Sequence, residues 1–377
     1  MASSYINRLN DIPHFEVKIT EKNVETTVQL LISHLKKSWN INKLNKKVYD
    51  SGITNKLYGY YVNYDGTIVS PQFSEYGRSE IVLVRIYGNK TDLVIDRAQE
   101  LRNFEELSRC GIAPSIYCTF SNGYCYKYME GRALNPKDFS DKNILNLCAR
   151  QVANIHCLQL SENYLKHYKL ESVLFKTINR YISLIPHKYN SEEMQKKYLE
   201  LIPSIECLHS EVNQIISIVA NMKTKIVFCH NDLLCGNFIF DEYNDKVVLI
   251  DYEYAGPNYA AYDIANHFNE YAGIEDFDFS LYPSKEAQME WLNIYMIETN
   301  KIKGLTVEVS EKELECLYSQ VQVFSLVSHL FWGIWALIQA HYSDINFDFL
   351  WYSSMRLNEY FKHKDAFLTI GKNAEFI

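Results

Sequence analysis

Glycine is scarce in this chain, at 14 of 377 residues. That excludes a flexible or low-complexity protein. Basic residues are outnumbered, with 38 Lys and Arg against 46 Asp and Glu, for a formal net charge of −8. A basic face for nucleic-acid phosphates is therefore not expected. The charge mildly favours a cationic ligand, although the same value suits ordinary solubility. CxxC pairs are missing among the nine cysteines. This speaks against a disulfide frame and for reduced thiols in a cytoplasmic protein. The opening MASSYINRLNDIPHFEVKIT has no apolar stretch of the secretory kind, so no signal is expected. The longest apolar run is FSLVSHLFWGIWALIQA, residues 324–340. Ser325, Ser328, His329 and Gln339 interrupt it, so it reads as a buried helix rather than an integral membrane segment. There is no internal repeat.

What is present is the material of a core: 47% hydrophobic residues and 29 tyrosines. The length allows two domains, or one domain of two lobes. Residues 24–39 have helical spacing, with Val28, Leu31, Ile32 and Leu35 on one face. KKVYDSGITNKLYGYYV then reads as strand, turn and strand. EIVLVRIYG, residues 80–88, is a further strand. Asp92 is placed to cap a helix running to about Cys110, which Gly111 ends. SIYCTF, SNG and YCYKYM form another hairpin. After EGRALNP the pattern turns helical, with helical regions expected at 139–160, 191–220, 284–299, 309–342 and 347–364. One β interruption, residues 225–253, carries a polar cluster. The expected fold class is α+β and bilobal. Residues 1–45 form a helical extension, 46–130 a small β-rich lobe and 131–377 a large helical lobe. Ligands favour the crevice of such a plan.

The cluster lies in VFCHNDLLCGNFIFDEYNDKVVLIDYEYAG. Asp232 and Asn237 stand in a D-x-x-x-x-N relation, and Asp251 follows an apolar strand. Phosphoryl transfer needs a carboxylate facing the attacking hydroxyl, hard oxygen ligands for Mg²⁺ and a cation on the phosphates. Asp232 suits the first role, and Asn237 with Asp251 the second. Taken singly, each is as readily a turn residue; the ordered set is what points to phosphotransfer. A zinc site from Cys229, His230, Asp232 and Cys235 is the rival, with crowded ligands and no second pair. His230 reads as a brace for the loop. Upstream, Arg85 is placed as a phosphate-gripping cation, or is a plain strand arginine. Glu100 is placed to orient it, or lies on a solvated helix face. The DSGITNK stretch can cover phosphates with its backbone, and KYMEGRA sits where an adenine edge would meet the connector. Trp332 and Trp335 share a helix face. They are either core or the wall of a cation pocket. Glu270 is either a surface carboxylate or an ammonium partner.

These blocks resemble the choline/ethanolamine kinase family, whose fold is similar to those of protein kinases and aminoglycoside phosphotransferases. DSGITNKLYG, VLVRIYGNKTDLVIDR, GIAPSIYCTFSNGYCY, CHNDLLCGNFIF, LIDYEYAGPNYAAYDIANHFNEYAG, LYPSKE and SHLFWGIWALIQA carry the likeness, over residues 46–364. The resemblance implies Asp232 as catalytic base, with Asn237 and Asp251 on Mg²⁺. It places ATP on Gly52, Ile53, Thr54, Asn55, Arg85, Glu100, Lys127, Met129, Arg132 and Asp251. It also implies a substrate ammonium held among Asp232, Glu270, Trp332, Trp335 and Tyr352. Leu234 stands where the choline branch commonly carries Gln. NHFNEYAG, LYPSKE and VRIYGNKT look like the ethanolamine branch, so ethanolamine is expected over choline as acceptor. Partners would be the amino alcohol and ATP; the family often dimerises, which leaves a homodimer open. A catalytically dead relative, a protein kinase or an aminoglycoside kinase are the other classes. The kept Asp232, Asn237 and Asp251 oppose the first. The aromatic helix and the missing APE element oppose a protein kinase.

Overall fold

The computed structural model describes residues 12–49, 55–62, 80–88, 91–275 and 277–372. The chain divides into two compact units: Met1–Arg132 with Asp241–Val248, and Ala133–Phe240 with Leu249–Ile377.

The first unit is built on a six-stranded sheet. Its strands are β1 (His14–Phe15), β2 (Leu44–Tyr49), β3 (Asn55–Val62), β4 (Val82–Tyr87), β5 (Ile116–Phe120) and β6 (Gly123–Lys127), in the order β1-β5-β6-β4-β3-β2. Only the β1–β5 pair is parallel; the rest are hairpin-like antiparallel neighbours. Helix α1 (Val24–Leu35) buries Val28, Leu31 and Ile32. These share one core with Tyr60, Val62, Val82, Val84 and Phe120 of the sheet. A residue stripe at i, i+3 and i+4 is what lets a helix lie on such a sheet. Helix α2 (Arg97–Arg109) sets Phe104 edge-on to Tyr124 and Tyr126 of β6. The cap of α2 is Asp96, whose side chain accepts from the N–H groups of Ala98 and Gln99, and not Asp92. Asp92 lies in a short 3₁₀ turn, Thr91–Leu93, that delays the helix start. Gly111, at φ +73°, ends the last turn in the left-handed conformation that a side chain disfavours.

The second unit is mostly helical. Its helices are α3 (Lys142–His156), α4 (Glu162–His167), α5 (Leu174–Leu184), α6 (Glu192–Leu201), α7 (Ile205–Val219), α8 (Ala260–Asn269), α9 (Lys285–Ile302), α10 (Glu311–Tyr342) and α11 (Phe349–Gly371). The helix expected over 191–220 is two helices. Pro203 cannot continue the hydrogen-bond ladder, and Ser204 caps a new start by accepting from Cys207 N–H. α4 and α5 were not expected from the sequence. α10 is long and apolar enough to cross a membrane, and its apolar stretch is wholly buried. It is the central post of the unit, packing on α11, α8, α9 and α5. At Gly333 the α10–α11 approach is close: a Cβ there would lie 3.0 Å from Leu357 Cγ. Short strands punctuate the helices. β7 is Arg132–Ala133, β8 is Ile226–Cys229, β9 is Phe238–Asp241 and β10 is Lys246–Leu249, of which Arg132 and Asp241–Val248 fall in the first unit. β11 (Gly256–Tyr259) pairs antiparallel with β8.

Candidate active site

The polar cluster begins where β8 leaves its ribbon, with Cys229 opposite Gly256. Asn231 turns the chain at φ +66°, a left-handed conformation that Asn and Asp adopt more readily than other side chains. Its side chain holds the turn. Nδ2 donates to the Tyr254 carbonyl at 2.9 Å, and Oδ1 accepts from Asn258 Nδ2 at 2.7 Å. Asp263 anchors the same turn from α8. Its carboxylate accepts from the backbone N–H of His230 at 2.8 Å and of Asn231 at 2.7 Å. His156 Nε2 lies 3.0 Å from it as well. Asp263 lies in the first turn of α8 without capping it. The capping position is Tyr259, with no side-chain cap bond. His230 is fully buried, and its Nε2–H donates to the Ile250 carbonyl at 2.8 Å. That links the loop to the residue preceding Asp251.

Asp232 follows the turn and is half-buried. Asn237 Nδ2 donates to its backbone carbonyl at 2.8 Å and to its Oδ2 at 3.1 Å. Both partners are acceptors, so the amide must present its NH₂ to Asp232. Asn237 Oδ1 is left without a hydrogen-bond partner among the described residues. Ile250 N–H donates to the Asn237 carbonyl at 3.0 Å, which sets Asn237 beside the strand end carrying Asp251. Asp251 itself is at φ +66°. Burial raises the proton affinity of Asp232 well above the usual carboxylate range, and the charges of Asp251, Glu270 and Glu253 add to it. The Asn237 hydrogen bond acts the other way. Glu253 was not singled out in the sequence. It sits two residues past Asp251, in the turn that precedes β11.

Glu270 closes α8 and is only 4% exposed, so the surface reading of it fails. Its Oε1 accepts from Arg356 Nη1 at 2.8 Å. Arg356 is fully buried and also lies 3.4 Å from the Tyr352 hydroxyl. Trp332 and Trp335 stand edge to face with ring centroids 5.4 Å apart, and Tyr254 abuts Trp332 at 5.3 Å. Trp332 Nε1 donates to Asn266 Oδ1 at 2.6 Å. Leu234 is half-buried on the loop after Asp232. Asp232, Asp251, Glu270, Trp332, Trp335 and Tyr352 all belong to the second unit.

The nucleotide residues expected from the sequence are distributed differently. Gly52, Ile53 and Thr54 lie outside the described residues. In the first unit, Arg85 of β4 has its Nε 3.8 Å from Glu100 Oε1. Glu100 is buried, not on a solvated face. Its shorter ion pair is to Arg97 Nη1 at 2.7 Å, and the Tyr124 hydroxyl donates to it at 3.0 Å. Arg97, missed in the sequence, also donates to Asn55 Oδ1 at 3.2 Å and stacks 4.2 Å over Tyr87. Lys127 ends β6 and is exposed, Met129 is half-buried, and Arg132 is exposed and paired with Glu242 at 3.0 Å.

The proposed zinc set does not converge. Cys229 Sγ faces the Asn258 carbonyl at 3.4 Å and His230 faces Ile250. Cys229 instead approaches His156 and Asp263. Asp263 is already engaged by three hydrogen bonds, and burial raises the Cys229 thiol well above its ordinary value, which disfavours a thiolate ligand. All nine cysteines are free thiols.

A catalytic-loop carboxylate joined to an amide and a post-strand Asp, on an α+β frame of this kind, marks a kinase-like phosphotransferase. A family model described as choline/ethanolamine kinase matches residues 47–361, and the chain belongs to that family. It is 45% identical over 334 residues to ethanolamine kinase 1 of Homo sapiens, covering 89% of this chain and 70% of that one. The solved structure of a Plasmodium vivax ethanolamine kinase superposes with a TM-score of 0.76 at 30% identity, covering 91% of this chain and 89% of that one. A Cryptosporidium parvum choline kinase shares the fold, with a TM-score of 0.71 at 24% identity, covering 92% of this chain and 97% of that one.

Proposed function

We propose that this chain transfers the γ-phosphoryl group of ATP to the hydroxyl of ethanolamine, giving phosphoethanolamine and ADP. The observation that carries the reading is Asp232. It is a part-open carboxylate, held by Asn237 and crowded by three further carboxylates. Burial and those neighbours make it a stronger proton acceptor than a free aspartate. The hydroxyl oxygen forms its bond to the γ-phosphorus, the bond to the ADP oxygen breaks, and the hydroxyl proton passes to Asp232.

The donor set suits Mg²⁺. Asn237 Oδ1 is uncommitted because its NH₂ is spent on Asp232, and Asp251 adds a second hard oxygen. When bound, the ion neutralises phosphate charge as the transfer proceeds. Asn237 and Asp251 would hold it. Arg85, Glu100, Asn55, Lys127 and Met129 support an ATP-binding role for residues 46–130, joined by Arg132 just beyond, and residues 131–377 would carry catalysis and the acceptor. Glu270, Trp332, Trp335 and Tyr352 would receive the substrate ammonium through one carboxylate and aromatic faces. A cytoplasmic location belongs to the same reading, supported by the nine free thiols.

Steady-state kinetics with ethanolamine and choline test it. The expected result is a higher kcat/KM for ethanolamine; an equal or higher value for choline would overturn the choice of acceptor.

A further inference from the structure

The phosphotransfer chemistry above makes no use of Arg356, yet this guanidinium is fully buried. Taking such a charge from water costs several kcal/mol unless its donors are met. Its two terminal nitrogens are met by the acceptor side of the site, while Nε is left without a hydrogen-bond partner among the described residues. Nη1 donates to Glu270 Oε1 at 2.8 Å, and Nη2 donates to Ser328 Oγ at 3.0 Å. Ser328 Oγ–H donates to Asn266 Oδ1 at 2.9 Å, and that same oxygen accepts from Trp332 Nε1 at 2.6 Å. An unbroken hydrogen-bond path therefore runs from the Glu270 carboxylate to the Trp332 indole. It crosses α8, α10 and α11, the last two in close approach at Gly333. Glu270 Oε2 has no hydrogen-bond partner among the described residues.

We propose that Arg356 is the positioning residue of the amine pocket: it holds one oxygen of Glu270, leaves the other for the substrate ammonium, and through Ser328 and Asn266 fixes the Trp332 indole. This rests on the reading that Glu270 and Trp332 receive the ammonium of the acceptor. A bidentate, planar guanidinium suits the task. A lysine offers a point charge on a flexible stem and cannot hold Glu270 and Ser328 in one plane. The competing explanation is a plain core ion pair between helices, whose loss would lower stability without singling out the amine.

The test uses the full chain, with ethanolamine and ATP varied separately and melting temperatures recorded. The variants are Arg356→Lys, Arg356→Met, Ser328→Ala, Glu270→Gln and the double variant Glu270→Gln/Arg356→Met. Arg356→Met is expected to raise KM for ethanolamine roughly tenfold or more while KM for ATP stays within about twofold. Arg356→Lys should recover part of the loss, and Ser328→Ala should raise the ethanolamine KM by roughly two- to fivefold. In a Glu270→Gln background, adding Arg356→Met should change that KM by less than about twofold, because the two residues act as one unit. Equal rises in both KM values, a loss confined to kcat, or a full effect persisting without Glu270 would overturn the proposal. If Arg356→Met does not fold, Ser328→Ala and the double variant, which removes both charges together, decide by the same criteria. A wild-type chain inert toward ethanolamine would instead overturn the proposed function, and the role of Arg356 with it.

Discussion

Two ion clusters, one in each unit, differ in make-up. In the first, one carboxylate, Glu100, serves two arginines and a tyrosine: Arg97 at 2.7 Å, Arg85 at 3.8 Å and the Tyr124 hydroxyl at 3.0 Å. In the second, Asp232 is crowded by Asp251, Glu253 and Glu270, and the arginine that reaches Glu270 is Arg356. An excess of cations is the environment that an anionic ligand completes, and an excess of carboxylates is one that cations complete. Under the proposed function the first meets phosphate, and the second meets a metal ion and an ammonium group. Under that proposal the two clusters serve different parts of the reaction.

The largest expected effect falls on the carboxylate surplus. Asp232→Ala should lower kcat by roughly 10²–10⁴-fold, the usual worth of a placed proton acceptor, with nucleotide affinity little changed. Steady-state rates and an equilibrium ATP titration measure the two. A fall of less than tenfold would mean the crowding raises Asp232 for some purpose other than proton transfer. The cation-rich cluster is tested by stability. Arg97→Met strips the shorter ion pair from a buried carboxylate, and removing one partner of such a pair costs about 3–5 kcal/mol. Arg85 partly compensates at 3.8 Å. A loss of about 2 kcal/mol or more, read from the urea midpoint, is therefore expected. No shift would show that Glu100 does not depend on Arg97. Asp251→Asn removes one charge from the acidic side and should raise the Mg²⁺ concentration needed for half-maximal rate roughly ten- to a hundredfold, a range typical even of contacts that only support a metal ligand. Rate against Mg²⁺ concentration at fixed ATP measures it, and an unchanged midpoint would remove Asp251 from the metal site.

Much of this comparison was legible before any coordinates. The spacing of Asp232, Asn237 and Asp251 between apolar strands is local, and so is the stripe of Val28, Leu31 and Ile32. The same holds for the strands of the first unit and for the long apolar helix, where side-chain period reports burial directly. What escaped was long-range or displaced by a turn. Arg356 meets Glu270 across 86 residues; its only local signal was a charge four residues from Tyr352 on an apolar helix. Asp263 sits in the first turn of α8, yet its carboxylate turns to backbone N–H groups 32 and 33 residues away, on the loop carrying Asp232. Asp92 lost its cap role to Asp96 because a 3₁₀ turn intervened. Pro203 was visible and should have split the 191–220 helix, since a proline there breaks the ladder whatever its flanks prefer.

The smallest expected effect sharpens the comparison through acid. His230, His267 and His329 of the second unit are fully buried and held below the ordinary histidine range, mainly by desolvation. The first unit's histidines, His14 and His34, are not buried. For His267 the value falls to about 4. The ring sits among Phe139, Phe238, Tyr271 and Trp291, where a charge is poorly solvated. An unfolded chain binds a proton at His267 near pH 6.5, and the folded chain does not until about pH 4. Stability from this group is therefore complete above pH 6.5 and is lost as pH falls through that window. At pH 5.5, one unit below the unfolded value, the loss from His267 is on the order of 1 kcal/mol. His267→Phe keeps an aromatic ring in an aromatic pocket and removes the proton. Between pH 7.5 and 5.5 the stability read from urea unfolding should thus fall by on the order of 1 kcal/mol more in the wild type than in the variant. Equal falls would show that His267 is not held neutral, and would leave the acid sensitivity of the second unit to His230 and His329.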